Sequence, residues 1–170
     1  MVKMNGYYFK NFKKMMGRDG YVFSGSVMKN KKEVCRFFND GCGGYTSIDP
    51  VDRDLYKELV NWYKDFCKKN DMGKRDNDYD SVEDFIYDLW HYEDSWKFFK
   101  KEAKKDKREV MYPELVITTN KVSDFSYKQF TFVLKANKKT QLKEVEGAKV
   151  EKVVYSYEAL PTQKDIEMIL

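Results

Sequence analysis

The spacing of apolar residues changes twice along the chain, and this change constrains the fold more than any other feature. Residues 7–48 alternate in period two, as half-buried strands do, whereas residues 50–69 and 81–106 repeat apolar side chains every three or four positions, as amphipathic helices do. Period two returns over residues 109–157. Strands and helices segregated in this order predict an α+β fold with a mostly antiparallel sheet.

The predicted elements are an N-terminal antiparallel hairpin or meander, two amphipathic helices, C-terminal antiparallel strands and a short helix over 161–170. A length of 170 residues suits one compact domain, and 28 aromatic residues supply apolar surface for a core. We therefore expect a single domain over 1–170.

Capping residues predict where the helices begin. Asp49 and Pro50 fit the N-cap and the first position of the first helix. The second helix is expected to begin at Ser81, which forms a capping-box pattern with Asp84. Asp80 and Glu83 offer a competing register.

Composition argues against several classes of protein. No stretch approaches 18 consecutive apolar residues, and the first residues lack the apolar run of a signal peptide. Cys35, Cys42 and Cys67 form no CxxC pair, which indicates reduced thiols in a cytoplasm. Because only His91 would join them, a zinc site is not expected. We expect no cofactor, no metal and no membrane contact.

Catalytic patterns are incomplete. His91 lies within a predicted helix without the neighbouring nucleophile and orienting acid that a catalytic base needs. Residues 41–44 match neither glycine-rich phosphate motif, and a turn at the end of a hairpin is expected there. Asp76, Asp78 and Asp80 alternate like a calcium loop, but its later glycine and glutamate are missing. A weak divalent site near Asp76–Asp80 stays open, and the sequence predicts no enzyme.

Charge is segregated along the chain. Residues 1–48 carry a net charge of +6, residues 49–96 carry −7 and residues 97–170 carry +5. Such blocks form either solvated faces or electrostatic contact surfaces for a partner. Eight acids of the central block make one candidate surface, which imitates the charge row of DNA: Asp76, Asp78, Asp80, Glu83, Asp84, Asp88, Glu93 and Asp94.

Basic residues make the alternative candidate surface. Lysines interleave with aromatic rings over residues 7–14, a pattern typical both of a nucleic-acid platform and of a half-buried strand with its lysines outward. A second cluster lies at the end of the second predicted helix. The candidate nucleic-acid contacts are Lys10, Lys13, Lys14, Lys97, Lys100, Lys101, Lys104, Lys105 and Arg108.

The runs Met16–Val27, Asn30–Val34 and Asn39–Gly44 resemble the N-terminal hairpin, with its NDGxGG-type turn, of small uncharacterised proteins carried by phages and mobile elements of low-GC Gram-positive bacteria. The resemblance covers about the first third of the chain and brings no established catalytic residues. It implies a place in the cytoplasm of an infected bacterial host. By context it also implies the anti-defence class, of which anti-CRISPR proteins are an example.

Two functions follow as expectations. The first is a phage-encoded inhibitor, most plausibly an anti-CRISPR protein, that binds and occludes an effector nuclease of a host defence complex through the acidic surface. The alternative is a nucleic-acid-binding phage accessory protein that uses the basic and aromatic patches. The sequence leaves the oligomeric state open.

Overall fold

The computed structural model describes residues 2–70, 72, 77–105, 112–122, 125–135, 139, 141–145 and 147–156. Two antiparallel four-stranded sheets and two helices form this part of the chain, which confirms the predicted α+β class. The elements are β1 (Tyr7–Met16), β2 (Tyr21–Lys29), β3 (Lys32–Asn39), β4 (Ser47–Pro50), α1 (Arg53–Lys69), α2 (Asp78–Lys105), β5 (Tyr112–Val122), β6 (Phe125–Lys135), β7 (Glu144–Val145) and β8 (Ala148–Ser156).

The chain divides into two compact units, with the boundary between Tyr87 and Asp88 inside α2. The first unit contains β1–β4, α1 and the first turns of α2, and the second contains the rest of α2 and β5–β8. The expected single domain over 1–170 stays a prediction. No described helix is long and apolar enough to cross a membrane.

Strands β1 to β4 form the predicted N-terminal meander, in which each strand pairs antiparallel with the next. The turn between β2 and β3 consists of Asn30 and Lys31, with φ values of 50° and 66°. Positive φ at both central positions is typical of the type I′ turn, whose twist matches that of the flanking strands. A tight local turn therefore brings β2 and β3 together as an antiparallel pair.

One face of this sheet carries the aromatic core of the first unit. Tyr7, Phe9, Phe23 and Phe37 are each at most 3% exposed. Helices α1 and α2 supply further rings to this core, and the ring centroid of Tyr63 lies 5.6 Å from that of Phe85. Each large ring buried here contributes about 1.5–3 kcal/mol to folding.

Helix α1 begins three residues later than predicted. Asp49 and Pro50, the predicted cap and first position, instead end strand β4 and pair with β3. Asp52 is the cap, because its carboxylate accepts hydrogen bonds at 3.1 Å from two backbone N–H groups of the first turn. An edge strand such as β4 tolerates a proline, so the Asp-Pro pattern has a second structural use.

Helix α2 begins three residues earlier than predicted, at Asp78. The side-chain oxygen of Asn77 accepts the backbone N–H of Asp80 at 2.7 Å, and its amide donates to the carboxylate of Asp80 at 2.7 Å. Ser81, the predicted cap, lies within the helix and donates to the backbone carbonyl of Asn77. The capping pattern one turn earlier is therefore the one that operates.

In the second unit, β5 lies at the centre of a sheet of order β6-β5-β8-β7. Leu115, Val116 and Ile117 are successive residues of β5 and all are at most 2% exposed, so both faces of this strand are buried. Lys135 and Glu114 form a buried ion pair on neighbouring strands. The predicted helix over 161–170 lies outside the described residues.

Candidate functional site

The end of the β1–β2 hairpin is a two-stranded structure that we call the ribbon, residues Lys13–Val22. The four successive side chains from Lys13 to Met16 are all exposed. Because neighbouring side chains of a strand point to opposite faces, neither face of this part of β1 is covered. A turn closes the ribbon, and in it the N–H of Gly17 donates to the carbonyl of Gly20 at 2.7 Å.

The ribbon combines cations with exposed apolar side chains. Met15 and Met16 are 65% and 70% exposed, and Tyr21 is 45% exposed. The ammonium of Lys14 lies 5.8 Å from the centroid of the Tyr21 ring. The side chain of Arg18 is 93% exposed. This grouping of side chains is typical of a contact surface.

A β-bulge separates the ribbon from the buried first half of β1. The register of β1 on β2 shifts between Lys10 and Lys13, and Asn11 there has a φ of 55°. The bulge keeps the Phe12 ring stacked on Phe9, at 4.7 Å between centroids, while Lys10 and Lys13 share the opposite face. Of the predicted mixture of rings and lysines, Tyr7 and Phe9 thus lie in the core, the other two rings are half-buried, and the lysines are exposed.

The predicted basic set falls in both units. Its exposed members in the first unit are Lys10, Lys13 and Lys14. In the second unit Lys101 is exposed, and the ammonium of Lys97 lies 3.6 Å from the carboxylate of Glu93 and 3.8 Å from that of Asp94. The remaining side chains lie outside the described residues: Lys100, Lys104, Lys105 and Arg108.

The glycine loop, Asp40–Thr46, joins β3 to β4 and forms the predicted turn. The buried side chain of Asn39 holds it from one end, donating to the carbonyl of Gly44 at 3.3 Å and accepting the N–H of Gly41 at 2.8 Å. Glu83 holds it from the other end by accepting the N–H of Thr46 at 2.8 Å. Gly41 has a φ of 72°, a conformation that favours glycine.

An open depression lies beside the glycine loop and is lined by Tyr45, Asn77, Tyr79 and Asp80. The ring centroids of the two tyrosines are 6.3 Å apart, with the ring planes at 82°. Burial, followed by the charges of Glu83 and Asp80, raises the pKa of Tyr79. Among the described residues, the lining therefore consists of two tyrosine rings, a primary amide and a carboxylate.

The predicted acidic set lies in mixed environments. In the first unit Asp78 pairs with Lys64 at 2.7 Å, Asp80 is exposed, Glu83 holds the glycine loop and Asp84 is half-buried. Asp76 lies outside the described residues.

The acids of the second unit are more enclosed. Asp88 is 6% exposed, and the side chain of Glu93 is 12% exposed. Asp94 accepts a hydrogen bond from the indole N–H of Trp90 at 2.7 Å. Of the described members of the set, only Asp78 and Asp80 are exposed.

Two groups with chemical reactivity, one in each unit, have different surroundings. His91 is half-buried, and its ring lies parallel to that of Trp90 at 6.0 Å. Burial raises the pKa of Cys35 to about 12, which keeps this thiol protonated at neutral pH. Among the described residues, no three or more His, Cys, Asp or Glu side chains are grouped to hold a metal ion. With Asp76 undescribed, a divalent site near Asp76–Asp80 stays open, and the absence of enzymatic activity stays a prediction.

Comparison with known proteins identifies no relative, since no family model, curated protein or solved structure matches the chain. The resemblance to phage and mobile-element proteins stays a prediction, as do the functions and the location inferred from it. The surfaces of the molecule itself are therefore what indicates a function.

Sequence reasoning missed the exposed apolar residues of these surfaces. Met15 and Met16 are neighbours in a strand, so alternation alone places one of them away from the core. Tyr45 follows Gly43 and Gly44, and a ring in such a loop has no regular element to cover it. These two signals were available in the sequence.

Proposed function

We propose that the protein binds nucleic acid and that the ribbon makes the contact. The observation that carries this proposal is the grouping of Lys13, Lys14 and Arg18 on a two-stranded ribbon that is exposed on both faces. Cations that neutralise phosphates supply most of the affinity of nonspecific binding and make that affinity fall with salt.

The form of the ribbon favours a duplex over a single strand. Single strands are bound by stacking successive bases on exposed rings, but Tyr7 and Phe9 are buried and Tyr21 is the one ring in the ribbon. A two-stranded ribbon fits the major groove of DNA. Exposed methionines such as Met15 and Met16 resemble the apolar wedges that proteins insert between base pairs.

The test compares two triple variants by fluorescence anisotropy on a labelled duplex and on its separated strand. The ribbon variant carries Lys13→Gln, Lys14→Gln and Arg18→Gln. The control variant carries Arg53→Gln, Lys57→Gln and Lys68→Gln, which remove the same charge from exposed positions of α1. We expect the ribbon variant alone to lose duplex affinity. For the ribbon variant, the slope of log K against the logarithm of salt concentration should become shallower by about 0.9 for each lost phosphate contact.

Two results would overturn this proposal. Equal losses in the two variants would mean that net charge, and not the ribbon, determines binding. A native protein that shows no affinity for the duplex at low salt would exclude the function altogether. Lysines also protect edge strands from pairing, so sedimentation velocity checks that the ribbon variant has not aggregated.

We propose inhibition of a bacterial defence complex as a second function, because Asp78 and Asp80 are exposed at the start of α2 and Asp80 lines a depression together with the exposed ring of Tyr45. In this proposal the exposed acids at the start of α2 contact a basic surface of an effector, as an anti-CRISPR protein would. Charge complementarity of this kind speeds association and selects the partner.

A pull-down with candidate effectors tests the second function. We expect Asp78→Asn with Asp80→Asn to weaken capture, whereas Asp54→Asn with Asp65→Asn, on exposed positions of α1, should leave it unchanged. Capture that is the same for both variants would exclude a contact through the start of α2.

A further inference from the structure

The depression beside the glycine loop has the composition of a site for an organic cation. Two tyrosine rings at nearly right angles form its walls, and a carboxylate and a primary amide complete it. Faces of aromatic rings attract cations, and a nearby carboxylate adds a charged acceptor for their N–H groups.

One wall of the depression and the backbone that carries the other are held by hydrogen bonds. The hydroxyl of Tyr79 donates to the carbonyl of Thr46, which fixes the orientation of the Tyr79 ring. Gly44 and Thr46, the neighbours of Tyr45, are bonded to Asn39 and Glu83. The backbone at Tyr45 is therefore anchored while its side chain is 85% exposed. The Tyr79 ring, which its hydroxyl holds, therefore loses little conformational freedom on binding, whereas the Tyr45 side chain becomes ordered only when a ligand packs on it.

Of the two carboxylate oxygens of Asp80, one is bonded to a described residue. The Oδ2 atom of Asp80 accepts the Asn77 amide at 2.7 Å, whereas its Oδ1 atom has no hydrogen-bond partner among the described residues. Burial, and then the carboxylates of Glu83 and Asp80, raises the pKa of Tyr79, so these described charges near the depression disfavour an anion. An apolar group would leave this acceptor unused.

We propose that this depression binds the guanidinium group of an arginine side chain on a protein partner. Guanidinium is planar, so it stacks on the Tyr45 ring and directs N–H groups in the ring plane toward Asp80 Oδ1. An ammonium has no flat face, and its stronger hydration makes it the poorer ligand. The lining of the depression includes no residue of the ribbon. The partner that presents this arginine is the effector of the second proposed function, so the identity of the partner rests on that function.

The probes are argininamide and lysinamide, titrated into the full-length protein and followed by backbone amide NMR shifts. We expect argininamide to shift the amides of Tyr45, Thr46 and Asp80, with an affinity that exceeds that of lysinamide by roughly fivefold or more. Tyr45→Ser and Asp80→Asn should each weaken argininamide binding by about fivefold. Phe98→Ser and Asp65→Asn remove an exposed ring and an exposed acid that do not line the depression, and should leave it unchanged.

Equal shifts with both amides would overturn guanidinium recognition, as would shifts that survive Tyr45→Ser. An unchanged amide spectrum outside the depression confirms that each variant is folded. If argininamide binds and no effector is captured, the guanidinium site is supported and the inhibitor function is excluded. If an effector is captured without argininamide binding, the guanidinium proposal falls and the inhibitor function stands.

Discussion

The two halves of β1 carry similar mixtures of apolar side chains and lysines, yet they lie in opposite environments. In the first half Tyr7 and Phe9 are buried, and the Tyr7 ring lies 5.9 Å from Trp62 of α1 and 5.8 Å from Phe85 of α2. In the second half Met15 and Met16 are exposed. The local sequence pattern therefore accounts for the strand itself, whereas packing against α1 and α2 determines which half of it is buried.

The largest expected effect tests the comparison directly. Phe9→Ala should lower the free energy of unfolding by about 3–5 kcal/mol, because it leaves a cavity among packed rings. Met16→Ala should change it by less than about 0.5 kcal/mol, because that side chain is 70% exposed. Urea denaturation measures both values. Similar losses would show that the second half of the strand is packed in solution.

The bulge between the halves gives the next largest effect. Asn11 has a φ of 55°, which valine adopts at a cost of about 1–2 kcal/mol and glycine without that cost. We expect Asn11→Val to lower the urea midpoint and Asn11→Gly to leave it nearly unchanged. If valine is tolerated as well as glycine, the bulge does not set the register of β1.

A smaller effect is expected at alkaline pH, where the buried Tyr7 hydroxyl in the first half of β1 changes the free energy of unfolding. Burial, and then the charge of Glu58, raises the pKa of Tyr7 above its ordinary value of 10.0. The folded state therefore keeps a proton that the unfolded chain releases, so the free energy of unfolding falls as pH rises above 10.0. In Tyr7→Phe this fall should be smaller by about 1 kcal/mol near pH 11. Identical pH profiles of the two proteins would contradict the burial of this hydroxyl.

The smallest effect concerns two cations that lie over rings. The Lys29 ammonium lies 4.2 Å from the Tyr7 ring centroid and 2.7 Å from Glu58, whereas Lys14 lies 5.8 Å from the exposed ring of Tyr21. Lys29→Met should cost about 1 kcal/mol and Lys14→Met less than about 0.5 kcal/mol in urea denaturation. A reversed order would mean that the ribbon is more rigid than its exposure indicates.

Hydrophobic periodicity was sufficient to predict the α+β class and the order of the described elements, because these depend on local spacing. It misplaced both helix starts, because several aspartates and Ser81 offer capping patterns within a few residues of one another. At α1 the choice depends on the pairing of β4 with β3, which no local pattern shows.

The candidate sites were less predictable for the same reason. Charge blocks indicated the lysines of β1 and the acids of α2, but the exposure of each depends on packing between distant segments. The carboxylate of Glu83, a predicted contact residue, accepts the backbone N–H of Thr46, which is 37 residues away in the chain. The backbone on either side of Tyr45 is anchored by that bond and by the bond from Asn39 to Gly44, and neither contact follows from local sequence.

The three thiols differ in exposure, which allows the glycine loop to be labelled selectively. Cys35 and Cys67 are buried, while Cys42 is exposed on the glycine loop. A maleimide dye should therefore attach at Cys42 ahead of the other two positions. The native chain can then carry a fluorescent reporter three residues from Tyr45 without any engineered cysteine.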